Sequence, residues 1–311
     1  MSIAEHKTLV YRAVDAFNRG DLDAVDALFA PDYVDHDRTR ADLPPGPAGV
    51  KRAWTTFRAA FPDLQATIED LVAEGDKVAV RGFIRGAHQG EMMGIPPSGK
   101  PVTVTLIDVN RIADGRLAER WAEADMLGLM QQLGAIPAPP ALSDPFGSAR
   151  ESSAPKAESD ESITPPMPPK TVVRRYIDDV WNTGDVAAVP AYVAPDVIQH
   201  GFAPEPTRGL AAVAQGFAAF RAAFPDLTVA IDDLIAEDDR VAVRYTMRGT
   251  HRGPFTGPVG CLPPTGRSIA VSGINIVRIA DGRIAAGWAQ LDTLSMLQQL
   301  GAIPAPGQPL G

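Results

Sequence analysis

The stretch ERWAEADMLGLMQQLGAIPAP, residues Glu119–Pro139, returns near the end of the chain as AGWAQLDTLSMLQQLGAIPAP, residues Ala286–Pro306. Each copy keeps a Trp and, four positions later, an Asp. Further repeated segments are FRAAFPDL, at Phe57–Leu64 and Phe220–Leu227, and RIADGR, which begins at Arg111 and again at Arg278. Because the two halves align nearly end to end, the repeat unit is a whole domain and far too long for a solenoid repeat.

The domain boundaries follow from composition. The 311 residues suit two domains of ordinary size. Between the copies, residues 137–169 are dominated by Pro, Ser, Ala and charged residues. Such a segment buries too little apolar surface to offset the entropy lost on ordering. We therefore expect a first domain at 1–136, a flexible linker at 137–169 and a second domain at 170–311. Proteases should cut first between Leu142 and Pro166.

Composition and charge narrow the classes of partner. The formal net charge is −9 and the isoelectric point is near 5.1, which argues against nucleic acid or an anionic membrane as partner. No apolar run approaches the length of a membrane span, and the first residues lack a signal-peptide pattern. The single cysteine, Cys261, rules out an intramolecular disulfide, so a cytoplasmic protein is expected.

Hydrophobic periodicity predicts the same order of elements in each half. Residues Leu9, Val10, Ala13 and Phe17 recur at helical spacing, and two further helical segments follow before FPDL. The remainder alternates like strands around turn pairs such as Asp114-Gly115, before a short last helix. Three helices followed by one curved antiparallel sheet predict an α+β fold, here two tandem cone-shaped barrels with a central pocket in each.

These elements carry a family resemblance. The first half reads GIPPSGKPVTV, then RIADGRLAERW and DMLGLMQQLG, and the second reads PPTGRSIAV, then RIADGRIAAGW and LDTLSMLQQLG. This pattern resembles the SnoaL-like polyketide cyclases and ester cyclases, within the nuclear transport factor two-like superfold. Most such proteins are single domains that pair through their sheets. The resemblance therefore implies an intramolecular pseudo-dimer here, with further homo-oligomerisation left open.

Asp125 and Asp292 are the leading catalytic candidates. Alternation along a strand places Trp121, Glu123 and Asp125 on one face. If Trp121 lines the cavity, and Trp288 likewise in the second half, the Asp carboxylate lies on the same poorly solvated wall with a raised pKa. The residues alone equally allow an Asp that caps the following helix. The resemblance implies the general acid/base role, because the family's cyclases use an Asp in this way.

Four histidines form two matched pairs between the halves. His36 and His200 follow the second helix, where the resemblance implies a cavity-facing histidine that orients a developing oxyanion. His88 and His251 begin a Gly-rich stretch and are candidates for substrate binding, although a purely structural role stays open for every pair. A further pair of substrate-binding candidates differs in charge, since Asp108 in the first half aligns with Asn275 in the second.

Other chemistries receive little support from the sequence. His36, His88 and Asp125 are reasonable metal ligands, but none has a local partner at metal-binding spacing, so no metal and no cofactor are expected. A Schiff base shared by both halves is excluded because no lysine occurs from Thr171 to the end of the chain. Cys261 has no counterpart in the first half and is expected to be a bystander.

The leading hypothesis is a cofactor-independent cyclase that closes a ring in a polyketide-like or other apolar carbonyl compound by proton transfer. Two alternatives remain. The same Asp could activate water in an ester, lactone or epoxide hydrolase, or the cavity could bind an apolar ligand without catalysis.

Overall fold

The structure, a computed structural model, describes residues 1–37, 43–137, 167–201 and 205–304. Nearly all of the expected linker at 137–169 lies outside the described residues. The helices of the first domain are α1 (Ile3–Arg19), α2 (Val25–Leu28), α3 (Pro47–Ala60) and α4 (Met126–Leu133). Its strands are β1 (Phe29–Asp35), β2 (Gln65–Glu74), β3 (Lys77–Ala87), β4 (Pro101–Ala113) and β5 (Arg116–Ala124).

The second domain repeats this order. Its helices are α5 (Pro169–Tyr176), which continues as a π-helical turn at Ile177–Asn182, α6 (Val189–Tyr192), α7 (Leu210–Ala223) and α8 (Thr293–Leu300). Its strands are β6 (Val193–His200), β7 (Thr207–Arg208), β8 (Thr228–Glu237), β9 (Arg240–Thr250), β10 (Phe255–Gly257), β11 (Gly260–Leu262), β12 (Ser268–Ala280) and β13 (Arg283–Leu291). Within the described ranges, no helix is long and apolar enough to cross a membrane.

Each domain is built on one sheet, which confirms the tandem α+β fold. The strand orders are β1-β5-β4-β3-β2 and β7-β6-β13-β12-β9-β8. The expectation of a purely antiparallel sheet was wrong for one pair in each domain, because β1 runs parallel to β5 and β6 runs parallel to β13. The chain leaves β1 through α3 before it enters the hairpins, and such a crossover connection permits parallel pairing. Both sheets remain open.

Turn chemistry defines the hairpins where the sequence predicted them. Asp114 and Gly115 both have positive φ, 48° and 74°, and so do their counterparts Asp281 and Gly282 at 49° and 71°. Two successive positive φ angles match the twist of a tight hairpin, which explains the repeated Asp-Gly pair. The second domain has a further hairpin, β10–β11, where the first domain has an isolated bridge between Met92 and Ile95.

One face of each sheet is covered by the helices of its own domain. In the first domain α1 begins with a capping box, in which Ser2 and Glu5 satisfy each other's backbone N–H groups, and ends at the left-handed Gly20. Its predicted apolar positions Leu9, Val10 and Ala13 are buried. The helices and this sheet face enclose a cavity in each domain, which is where the candidate site lies.

The opposite faces of the two sheets pack against each other. A buried cluster joins four residues from each domain, namely Val72, Ala79, Ile107, Val109, Ile235, Ala242, Ile274 and Ile276. Trp121 and Trp288 pack at its border. The sheet face that carries Trp121 is therefore an interface between the domains and is turned away from the cavity.

Polar contacts at the border of this interface are arranged as matched pairs. The Glu74 carboxylate accepts a hydrogen bond from the Ala236 N–H at 2.8 Å, and the Glu237 carboxylate accepts one from the Ala73 N–H at 2.9 Å. Two cross-domain ion pairs, Lys77–Asp233 and Arg240–Asp70, extend the same arrangement. Equivalent residues from the two domains thus exchange equivalent contacts, as in an isologous dimer interface.

Candidate functional site

The larger cavity lies in the first domain, between α1, α3 and the sheet. Its volume is about 340 Å³. Much of its wall is apolar and aromatic and includes Phe17, Phe29, Val50, Trp54, Phe57 and Leu106. Such a wall favours an apolar ligand, and a few polar groups placed within it would fix the ligand's orientation.

Three charged side chains converge on the wall of this cavity. The Arg120 guanidinium donates to both carboxylate oxygens of Asp108 at 3.0 Å, from Nε and Nη2. Its Nη1 donates to Asp35 at 3.2 Å. The side chains retain only 15–18% of their exposure, so the group is largely removed from solvent. We call these residues the Asp35–Asp108–Arg120 cluster.

Strand register brings the cluster together. Asp35 on β1 is the direct partner of Arg120 on β5. On the other side of β5, Arg120 pairs with Asn110 of β4, and Asp108 lies two residues further along that strand. Direct and diagonal neighbours on one face of a sheet are within side-chain reach of each other. The three residues therefore meet because they share the cavity face of three adjacent strands.

The charges of the cluster stabilise one another. Burial alone would lower the pKa of the Arg120 guanidinium, but the neighbouring charges of Asp108 and Asp35 outweigh it and raise that pKa well above its usual value. Arg120 therefore remains a cation. A guanidinium carries more N–H donors than these three contacts use, so Arg120 also has donors for a ligand in the cavity.

The second domain places uncharged residues at the same three positions. Gln199 occupies the position of Asp35, Asn275 that of Asp108 and Gly287 that of Arg120. Its cavity is smaller, at about 120 Å³, and it contains the Tyr245 ring, which aligns with Gly82 of the first domain. The substrate-binding candidates Asp108 and Asn275 therefore both line cavities, and among the described residues only the wall of the first cavity includes carboxylates.

The structure places Asp125 and Asp292 at helix N-termini. The Asp125 carboxylate accepts a hydrogen bond from the Gly128 N–H at 2.8 Å, and Asp292 accepts from the Ser295 N–H at 3.0 Å. Burial raises the pKa of Asp125, and the Gly128 hydrogen bond partly opposes this rise. Among the described residues, neither Asp belongs to the wall of either cavity, and their role in proton transfer stays a prediction.

Trp121, Trp288, His36 and His200 also lie away from the cavities. The His36 ring stacks on Trp121 with centroids 4.6 Å apart, and His200 stacks on Trp288 at 5.5 Å. Each Trp also faces a guanidinium of the other domain. The expectation that these residues face the cavity was wrong. Adjacent strand residues point to opposite faces of a sheet. Asp35 and Arg120, which directly precede His36 and Trp121, therefore occupy the cavity side.

His88 and His251 each form a hydrogen bond with the backbone of the loop that follows them. The His88 Nδ1 accepts a hydrogen bond from the Ser98 N–H at 3.2 Å, and His251 accepts one from the Thr265 N–H at the same distance. Both side chains are fully buried and neither lines the wall of these two cavities, so a role as substrate contacts stays a prediction. Burial lowers the pKa of His251.

No group of three or more His, Cys, Asp or Glu side chains in the described part of the chain is placed to hold a metal ion. The sequence interpretation missed Asp35 and Arg120. The available signal was their difference between the halves, because Asp35, Asp108 and Arg120 are all charged while their counterparts are all neutral.

A protein-family model and curated proteins of known name agree on one family for this chain. The model of the SnoaL-like polyketide cyclases matches residues 8–133 and again residues 171–300. The nogalonic acid methyl ester cyclase of Streptomyces nogalater is 28% identical over 123 residues, which are 39% of this chain and 91% of that protein. The aklanonic acid methyl ester cyclase of Streptomyces peucetius is 30% identical over 129 residues, covering 40% and 88%. The structure of TsrD from Streptomyces laurentii is 35% identical with a TM-score of 0.41, covering 44% of this chain and 99% of that one.

Proposed function

The chain belongs to the SnoaL-like polyketide cyclase family, and we propose that its first domain closes a ring in an apolar, polyketide-like carbonyl ester by proton transfer. The reaction is cofactor-independent, and the reacting groups are those of the Asp35–Asp108–Arg120 cluster. The observation that carries this proposal is the bidentate Asp108–Arg120 pair within a largely apolar cavity.

Asp108 acts as the general base and then as the general acid. Its carboxylate removes a proton from a carbon next to a substrate carbonyl, which leaves an enolate. The enolate carbon forms a bond to a second carbonyl carbon of the same molecule, and the π electrons of that carbonyl move onto its oxygen. The resulting alkoxide takes back the proton from Asp108, so the product is an isomer of the substrate. A positioned carboxylate of this kind typically contributes about 100-fold to 10,000-fold to a rate.

Arg120 stabilises the developing oxyanion, and Asp35 holds Arg120 in place. The guanidinium has N–H donors beyond those that contact Asp35 and Asp108, and these bind the enolate or alkoxide oxygen at the cavity wall. Fixed donors in a poorly solvated site stabilise such charge more strongly than water does. Asp35 is a positioning residue, because its contact with Arg120 Nη1 orients the guanidinium towards Asp108.

The cavity has the size for a molecule of several rings. An apolar cavity of about 150 Å³ in another protein holds one benzene molecule. The volume of about 340 Å³ in the first domain is more than twice that value. Holding the two carbonyl groups together in such a space supplies the proximity that intramolecular ring closure needs.

A hydrolase is the rival enzyme function, since the same carboxylate could activate water. The two reactions differ in their product, because ring closure conserves the mass of the substrate and hydrolysis of an ester, lactone or epoxide adds water. A ligand-binding module without catalysis would leave the substrate unchanged.

The test uses the two esters named for the relatives, nogalonic acid methyl ester and aklanonic acid methyl ester, followed by mass spectrometry and chromatography. We expect an isomeric product from at least one. Asp108→Asn should lower the rate by about 100-fold to 10,000-fold, because Asn cannot carry the proton. Asp125→Asn is the matched control and should keep the rate. Loss of turnover in Asp125→Asn with full activity in Asp108→Asn would return the catalytic role to the helix cap.

A further inference from the structure

The cavity of the second domain is separate from the proposed reaction site and has its own chemistry. We infer that it binds a compact, uncharged ring compound that carries a hydroxyl group, of the phenol class. This binding requires nothing of the chemistry proposed for the first domain.

Size restricts the ligand to a single ring. The second cavity has a volume of about 120 Å³, close to the roughly 150 Å³ of a cavity that holds benzene in another protein. Tyr245 sets this limit. Its ring is buried opposite Gly273 on the neighbouring strand, and a Cβ placed at Gly273 would overlap that ring. The several-ring substrate proposed for the first domain therefore does not fit in the second.

Charge restricts the ligand to a neutral compound. The described residues that line this cavity include no Asp, Glu, Lys, Arg or His. A charged ligand would lose its hydration without gaining a charged partner, which is strongly unfavourable. A neutral ligand meets no such penalty.

Two amide side chains provide complementary hydrogen-bonding groups for a hydroxyl. The Asn275 Oδ1 accepts a hydrogen bond from the Tyr245 hydroxyl at 3.3 Å, which leaves the Asn275 Nδ2 as a donor. Gln199 uses its Nε2 on the His200 carbonyl at 3.4 Å, which leaves its Oε1 as an acceptor. A hydroxyl both donates and accepts, so it can bind Gln199 and Asn275 together.

One strand, β13, lies between the strands that carry these two amides. Gln199 on β6 pairs with Gly287 of β13, and Asn275 on β12 pairs with Ala289 two residues further along β13. The Gln199 amide lies over Gly287, since a Cβ there would overlap it. The remaining wall includes the Trp181 and Phe217 rings, 5.0 Å apart and nearly perpendicular, which suit edge and face contacts with an aromatic ring.

The experiment uses phenol, with benzene as the matched probe that lacks the hydroxyl. The full chain is labelled with 5-fluorotryptophan, and its four Trp resonances are assigned by single Trp→Phe substitutions. Trp54 lines the first cavity and Trp181 lines the second, so the resonance that moves identifies the occupied cavity. We expect phenol to shift the Trp181 resonance saturably.

Variants then test the hydroxyl contacts. Asn275→Leu should lower the ratio of phenol affinity to benzene affinity about tenfold, the effect of one lost hydrogen bond. Gln199→Met, which keeps the side-chain length, should lower the same ratio, and Asn110→Leu in the first cavity should leave it unchanged. The inference is overturned if phenol leaves the Trp181 resonance unmoved or shifts only that of Trp54. It is equally overturned if both second-cavity variants keep the wild-type ratio.

Discussion

The two domains share one scaffold but differ in what their cavities contain. The wall of the first cavity carries two carboxylates and a guanidinium around a volume of about 340 Å³, and that of the second carries two amides and two tyrosines around about 120 Å³. The interface contacts, by contrast, are nearly the same on both sides. The interface uses equivalent residues of both domains, whereas the proposed reaction uses charged residues that only the described part of the first cavity wall carries.

Where one domain has a larger side chain in its cavity than the other, a neighbouring position has a smaller one. In the first domain Gly82 of β3 is the direct partner of Leu106 on the adjacent strand β4. In the second domain Tyr245 of β9 is the direct partner of Gly273 on β12. The large residue has moved from one strand to its neighbour. Similarly, the space that the Arg120 side chain uses in the first domain is used by the Gln199 amide over Gly287 in the second. Such coupled exchanges preserve packing while they change chemistry.

The largest loss of folding stability is expected when the Arg120 cation is removed from the first domain. Arg120→Gln leaves Asp35 and Asp108 partly buried without their cation, and breaking a buried ion pair in this way costs about 4 kcal/mol. In the second domain the amide of Gln199 lies over Gly287, the counterpart of Arg120, and Gln199→Ala should cost about 1 kcal/mol. Urea unfolding with a spectroscopic probe measures both.

The double variant Asp108→Asn with Arg120→Gln is the control for that prediction. It should be more stable than Arg120→Gln alone, because one uncompensated carboxylate is gone. Equal losses in the single and the double variant would show that Arg120 stabilises the domain by packing alone.

The compensated exchange gives the next effect in size. Tyr245→Gly should destabilise the chain by about 3 kcal/mol, because it opens a cavity in the second core. Adding Gly273→Leu, the residue of the first domain, should recover a large part of this loss by refilling the same space. Calorimetry of the single and double variants checks the coupling. Strictly additive effects would show that the two positions do not share that space.

The smallest effects are expected at the repeated helix caps. Asp125→Asn and Asp292→Asn should each change stability at neutral pH by less than about 0.5 kcal/mol, since Asn caps helices about as well as Asp. Burial raises the pKa of Asp125, so the native state favours its protonated form and the contribution of this one group to stability rises as the pH falls. Relative to wild type, Asp125→Asn should therefore become less stable between neutral pH and about pH 4. A constant difference over this range would contradict the burial effect.

Much of the fold was predictable from the sequence, whereas the candidate site was not. Helical spacing and Asp-Gly turns located α1 and the β4–β5 hairpin, because these signals are local. Alternation also placed Trp121 and Glu123 on one face of β5, where they pair with Val109 and Ile107. It could not show which side meets the helices, since both faces of the sheet are covered and apolar. Residues repeated in both halves were therefore assigned to chemistry although they serve the interface and the caps.

The most direct test of this account is a crystal structure of the chain with an unreactive analogue of a polyketide methyl ester, in which the carbon next to the carbonyl carries no removable proton. We predict the analogue in the first cavity, with a carbonyl oxygen within hydrogen-bonding distance of Arg120 and the blocked carbon against the Asp108 carboxylate. An analogue bound in the second cavity, or against Asp125 with the first cavity free of it, would contradict the central claim that the Asp35–Asp108–Arg120 cluster is the reacting site.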